Sequence, residues 1–226
     1  MTAVSPDTFV RRSPIYRLHA GSLWQAGENA ATVNQYVGNA APDPAGAGVL
    51  VDLSPLNRTG MRGAGAEALL GGIGLPYPSQ PNQSVRHASG AIVARLGKTE
   101  CWLLDDLYAP AAELKQLGTG NNTDCFPLYC QDTHAWFAIT GSHLPEMMAK
   151  VCGVDLRPKV FPPGAIVQSS IARVNGIIIH QPLGDLPVFH LLADSGSAEY
   201  LWGALLDAMR EFGGQAAGMS CLSTTG

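Results

Sequence analysis

Apolar residues in this chain come in short runs set between glycine and polar stretches, so strand-like and helix-like segments alternate. Val49-Leu-Val51 leads into Asp52-Leu-Ser54, and Met61-Arg-Gly63 passes into Ala64-Gly-Ala-Glu-Ala-Leu-Leu70. This predicts strand, turn, strand and a short helix, stopped at Gly71-Gly72 because glycine takes the left-handed cap conformation. Residues 90–96 and 100–104, joined through Gly97-Lys98, predict a hairpin. Pro110 to Leu117 predicts a helix: proline suits a first turn, and Gly118 follows as the stop. Gly120 to Asp124 reads as a polar loop.

The pattern then returns. Asp132-Thr133 opens the strand Ala135 to Thr140, and Gly141-Ser142 opens a helix with Leu144, Met147, Met148 and Val151 on one face. The order strand, Asp-Ser/Thr, strand, Gly, helix thus occurs twice, as a weak internal pseudo-symmetry. Ala165 to Ile179 is rich in β-branched residues and predicts one long or bulged strand bent at Gly176. Val188 to Ala193 predicts another. Ser197 is the expected N-cap of a helix whose stripe is Leu201, Trp202, Leu205, Leu206, Met209 and Phe212, ended by Gly213-Gly214.

The expected class is α+β: two pseudo-similar lobes of antiparallel sheet with packed helices, about 49–118 and 119–214, within a domain spanning 49–214. Residues 1–48, rich in Ala, Gly, Asn and Pro, read as an extended N-terminal arm, either lying on a neighbouring subunit or an irregular terminus. Residues 215–226, dominated by Ala, Gly, Ser and Thr, read as a flexible tail.

Composition narrows the function. Among 226 residues there are 14 Lys+Arg and 18 Asp+Glu, a formal charge of −4, which argues against nucleic acid as a partner. No apolar run reaches the length of a membrane span. Only 14% of residues are charged, against about 25% in ordinary domains, so either the surface is weakly charged or much of it is covered by partners. The cysteines are five (Cys101, Cys125, Cys130, Cys152 and Cys221), without a CxxC pair, and the first twenty residues hold no apolar export segment. Reduced thiols in the cytoplasm are expected.

Candidate chemistry is sparse. Gly71-Gly72-Ile73-Gly74 follows a helix instead of linking a strand to one, so no dinucleotide cradle is expected. Cys125, Cys130 and His134 lack the second ligand pair of a structural zinc site. The six histidines are scattered, without HExxH, and no GxSxG elbow presents a serine. Asp52 with Ser54, and Asp132 with Thr133, admit two readings. One is a pair of carboxylates around a shared cleft; the other, favoured by the recurrence, is local turn chemistry. Asp194 ends a strand in the same way. Arg173 falls inside an apolar stretch and, if buried, needs an intrachain acid, an anion or a partner's acid. These six residues are turn or interface candidates; no catalytic, cofactor-binding or metal-ligating residue is assigned.

Taken together, certain segments resemble known families. Val51-Asp-Leu-Ser-Pro-Leu56 and Gly63 to Leu70 resemble the opening of the aminomethyltransferase (glycine-cleavage T-protein) superfamily. Residues 94–104, Asp155-Leu-Arg-Pro158 with Phe161-Pro-Pro-Gly164, residues 168–174 and residues 193–208 are similar to the gamma-subunit family of heterotetrameric sarcosine oxidases. Their order and spacing hold from about 49 to 212. The resemblance implies a folate-binding aminomethyltransferase-type fold and a bacterial cytoplasmic complex that oxidatively demethylates sarcosine to glycine. It further implies alpha, beta and delta subunits as partners. FAD, covalent FMN, NAD and zinc would lie in those other subunits, tetrahydrofolate would accept the one-carbon unit, and no cofactor would be bound by this chain. One departure matters: catalytic aminomethyltransferases carry an aspartate in the strand aligned with Ser89 to Leu96, where this chain has no carboxylate. The alternative is a stand-alone folate-dependent aminomethyltransferase-like or folate-binding maintenance protein.

Overall fold

The computed structural model describes residues 4–38, 42–117 and 124–223. The expected helix stop at Gly118 and most of the loop from Gly120 lie outside the described residues. Five short helices and thirteen strands are present among them: β1 (Leu23–Ala26), β2 (Ala31–Gln35), β3 (Val49–Asp52), β4 (Arg58–Arg62), α1 (Ala66–Gly72), β5 (Gln83–Arg86), β6 (Ile92–Arg95), β7 (Glu100–Leu104), α2 (Ala112–Gln116), β8 (Phe126–Leu128), α3 (Cys130–Thr133), β9 (His134–Thr140), α4 (Leu144–Ala149), β10 (Ile166–Ile171), β11 (Val174–His180), β12 (Val188–Asp194), α5 (Ala198–Arg210) and β13 (Gln215–Ala217).

The continuous apolar runs become strands covered on both faces. In β9, Phe137 and Ile139 point one way, and Trp136 and Ala138 the other; in β3, Leu50 opposes Val49 and Val51. Both strands lie in a six-stranded sheet of order β10-β11-β12-β9-β3-β13. A five-stranded sheet, β5-β6-β7-β4-β8, packs against it. Trp136, Ile177, Ile179 and Leu192 of the larger sheet meet Ile92, Ala94, Trp102 and Leu104 of the smaller. On the larger sheet's outer face lie α4 and α5, through Met147, Met148, Leu201, Trp202, Leu205 and Met209. On the smaller sheet's outer face lies α1, through Ala66 and Leu70 against Met61, Val93 and Leu103. The expected α+β class, antiparallel sheets with helices on one face of each, is the observed one, apart from one parallel pair, β13 with β3.

Several expectations change. Residues 165–179 are not one bent strand but the hairpin β10–β11, turning at Ala172-Arg173, both with positive φ (48° and 68°). Two positive-φ residues between antiparallel partners make the turn that matches strand twist, and neither residue belongs to the Asn/Gly set that signals it. Gly176 sits inside β11, where an added Cβ would lie 2.7 Å from Ile171. Residues 215–223 are not a loose tail: β13 completes the larger sheet and Leu222 is fully buried. The segment read as an extended arm carries the β1–β2 hairpin and seats Ile15 (2% exposed) in the larger core. Ser197 precedes α5 without a side-chain cap bond, because Asp194 caps the preceding 3-10 turn instead.

Candidate functional site

The arm is fastened by a buried polar chain that begins at Asp52. This residue ends β3, where alternation turns its side chain to the helix side of the larger sheet, towards Phe137, Trp202 and the arm. His19 Nε2 lies 3.0 Å from Asp52 Oδ2, and the Tyr36 hydroxyl lies 2.6 Å from His19 Nδ1. The rings of Trp24 and Trp202 stand edge-on to His19. Burial pushes the Asp52 pKa up, but hydrogen bonds and charge from His19, with further bonds from Ser13 and Ser54, outweigh it and hold the group below the usual carboxylate range. Burial, and then the Asp52 charge, push the Tyr36 phenol up. With His19 and Asp52 both enclosed, this chain of groups holds the arm and offers no face to a substrate.

Ser54 N–H donates to Asp52 Oδ1 at 3.0 Å, the two-residue contact of an Asx turn, and Ser54 Oγ accepts from Trp136 N–H. Asp132 is not at a strand end: it lies exposed on the single turn α3, so it shares no cleft with the enclosed Asp52. Thr133 Oγ1 donates to the Tyr129 carbonyl and lies 2.8 Å from His134 Nδ1. Asp194 is exposed and accepts from Gly196 N–H at 2.8 Å. Arg173 is exposed at the hairpin turn, so the buried-charge problem foreseen for it does not arise. Cys125 precedes β8, Cys130 lies in α3 and His134 opens β9. Among the described residues no group of three or more His, Cys, Asp or Glu could hold a metal ion.

The buried arginine is a different one, Arg58 at the start of β4. Its guanidinium donates to the carbonyls of Cys130, Ser54, Leu56, Gln131 and His134, and so ties the loop after β3 to α3. Burial brings its pKa down to about 10. The sequence gives no hint of this role, since Arg58 reads as one more position of the polar stretch before Met61.

One concave surface lies where the arm meets the body. Two adjoining cavities, of about 300 and 380 Å³, share Glu28, Asn29, Asn57, Asp105 and Pro110. Asn57 forms part of the wall between them: its Oδ1 accepts from Arg11 Nη1 at 2.7 Å and its Nδ2 donates to Asp105 Oδ2 at 2.9 Å. Asp105 is buried and also accepts from the Ala111 and Asp106 N–H groups. Asp106 Oδ2 accepts from Tyr108 and Ala109 N–H, which shapes the loop into α2. Asp105-Asp106, directly after the strand predicted at 100–104, is given no role by the sequence pattern. Its only visible signal was two adjacent carboxylates before a proline-led helix.

This layered arrangement of two sheets with outer helices is similar in fold to solved chains of a sarcosine oxidase and an aminomethyltransferase. Among solved structures, the chain is similar to a chain of the heterotetrameric sarcosine oxidase from Corynebacterium sp. U-96, in complex with pyrrole 2-carboxylate. The TM-score is 0.68 at 22% identity, covering 90% of this chain and 96% of that one. It is also similar to the glycine cleavage system aminomethyltransferase T from Bartonella henselae, with a TM-score of 0.67 at 18% identity. There the match covers 92% of this chain but 60% of the aminomethyltransferase. No family model matches the sequence, and no curated protein matches it. No helix among the described residues is long and apolar enough to cross a membrane.

Proposed function

We propose that this chain is the gamma-type, non-flavin subunit of a cytoplasmic sarcosine oxidase complex, acting beside alpha, beta and delta subunits that carry FAD, FMN, NAD and zinc, with tetrahydrofolate as the one-carbon acceptor. The observation that carries this reading is the length of the match. The fold corresponds nearly end to end with a chain of an oxidase complex, whereas it spans only part of an aminomethyltransferase.

Two features of the chain support an accessory role. The stretch that the resemblance sets against the aminomethyltransferase aspartate, Ser89 to Leu96, contains β6, whose Ile92, Val93 and Ala94 pack into the cores. A carboxylate there would have to be buried against apolar neighbours, at a cost of several kcal/mol unless paired. The glycine cluster Gly71 to Gly74 closes α1 at its C-terminal end, where the helix dipole is negative and disfavours phosphate. That is the wrong end for a dinucleotide.

The test is co-purification of the tagged full chain from its native host. Flavin-bearing subunits recovered in a fixed ratio, from which this chain separates colourless, are the expected result. Recovery of the chain alone, with saturable binding of tetrahydrofolate, would replace this reading with the stand-alone folate-binding one.

A further inference from the structure

We infer that a cavity on the inner face of the larger sheet, near the turn of the β10–β11 hairpin, binds a neutral, ring-sized polyol of the monosaccharide class. Its volume is about 360 Å³. That is near the small end of the range ligand pockets occupy, about 300–1,000 Å³. Strand register builds it. Gln168, Ile177 and Leu192 lie side by side across β10, β11 and β12. Two residues further along each strand, and so on the same face, come Ser170 beside Asn175 and Asp194 beside His134. Ile177 and Leu192, part of the core between the sheets, give an apolar floor; Gln168, Ser170, Asn175 and His134 give polar walls. Asp194, exposed, stands at the rim. Among the described residues no lysine, arginine or carboxylate lines the cavity itself.

The hydrogen-bonding capacity left over is mostly for accepting. Thr133 gives its one hydroxyl hydrogen to the Tyr129 carbonyl, so its oxygen accepts from His134 Nδ1 at 2.8 Å, and His134 Nε2 is left as a bare lone pair. The Gln168 amide nitrogen donates to Asn82 Oδ1 and to the Leu96 carbonyl, at 2.7 Å each, which leaves Oε1. Asp194 accepts from Gly196 N–H through Oδ1, which leaves Oδ2. Ser170 and Asn175 are exposed and can both donate and accept. Lone pairs without hydrogens call for a ligand that donates. An anion would meet them with no cation among the lining residues. A cation would gain little, because opposing charges surround the site: burial and then the Arg58 charge lower the His134 pKa, while Asp194 and Glu100 raise it. Hydroxyl groups fit. Each donates to one of the lone pairs and accepts from Ser170 or Asn175, while the C–H face of a ring covers Ile177 and Leu192. Trp102 stands edge-on to His134, with ring centroids 4.7 Å apart, and holds the imidazole in place.

The experiment uses the full chain and three probes: methyl glucoside as the neutral ring polyol, cyclohexanol as a ring with one hydroxyl, and methylammonium as a cationic donor. Saturation-transfer NMR and calorimetry should show saturable glucoside binding, with each of the other two weaker by about tenfold or more. Ser170→Ala and Asn175→Ala, both at exposed positions, should each weaken the glucoside by about threefold or more while leaving the circular-dichroism spectrum and melting midpoint near those of the parent. His134→Phe keeps a ring beside Trp102 but removes the lone pair, and should do the same; should it unfold, the other two variants decide. Absence of saturable glucoside binding overturns the proposal. So does binding of cyclohexanol or methylammonium as tight as the glucoside, or glucoside binding unchanged in both Ser170→Ala and Asn175→Ala.

Discussion

His190, on β12, is fully enclosed, with its Nδ1 accepting from Trp136 Nε1 at 3.1 Å. Accepting there fixes the neutral tautomer with its hydrogen on Nε2, and Nε2 has no partner. Burial, reinforced by the charge of Arg86, brings the His190 pKa down to about 3. A histidine kept neutral when folded but free to protonate when unfolded makes the unfolded state bind more protons below pH 6.5. Stability is therefore lost as pH falls from about 6.5 towards 3, by about 1.4 kcal/mol per unit for this one group. Burial lowers His134 and His180 as well, so they act in the same direction. Urea unfolding at pH 7 and pH 5 should show the parent losing about 2 kcal/mol more than His190→Gln, which keeps an acceptor for Trp136. Equal losses would mean that His190 is not the group responsible.

At the scale of elements, the β10–β11 turn is the place where sequence and backbone disagree. Ala172 and Arg173 both adopt the left-handed conformation, which costs a residue with a Cβ roughly 1–2 kcal/mol. Arg173→Gly should therefore stabilise the chain by about 1 kcal/mol, read as a higher urea midpoint at unchanged slope. A neutral or lower midpoint would show that the hairpin, not its turn, sets the conformation. The same two residues explain why this hairpin was not legible: the β-branched run says strand on both sides, and nothing between says turn. By contrast, Gly97-Lys98 announces the β6–β7 hairpin, and the apolar stripe of α5 announces its buried face. β8 and α3, at three and four residues, are too short for any period to register. β13 is built of Gln215, Ala216 and Ala217, none of them β-branched or aromatic, which form a strand only by lying beside β3. Of the candidate residues, Asp52 was legible as a strand end but not as the anchor of the arm, because His19 reaches it from 33 residues away in sequence, Tyr36 meets only His19, and the three carry no shared motif.

For the whole molecule, the arm is structural as much as peripheral. Removing residues 1–22 would take Ile15 out of the core and leave Asp52 enclosed without His19. Stripping one partner from a buried pair typically costs about 3–5 kcal/mol. In a chain of this size that lowers the melting midpoint by about 10 °C or more. Calorimetry on the truncated chain should find such a drop; an unchanged midpoint would return the arm to the status of a loose appendage. The parallel pairing of β13 with β3 has a further consequence, in time instead of energy. During synthesis β3 emerges early and can take β9 as its neighbour once residue 140 has followed, yet its other edge stays open until residue 217 is made. Contacts of such high sequence separation form slowly, and an unpaired edge held open meanwhile is a template for the wrong strand. The nascent chain is thus exposed to mispairing for most of its translation, and a partner or chaperone that covers β3 in that interval would act on yield without touching the finished fold.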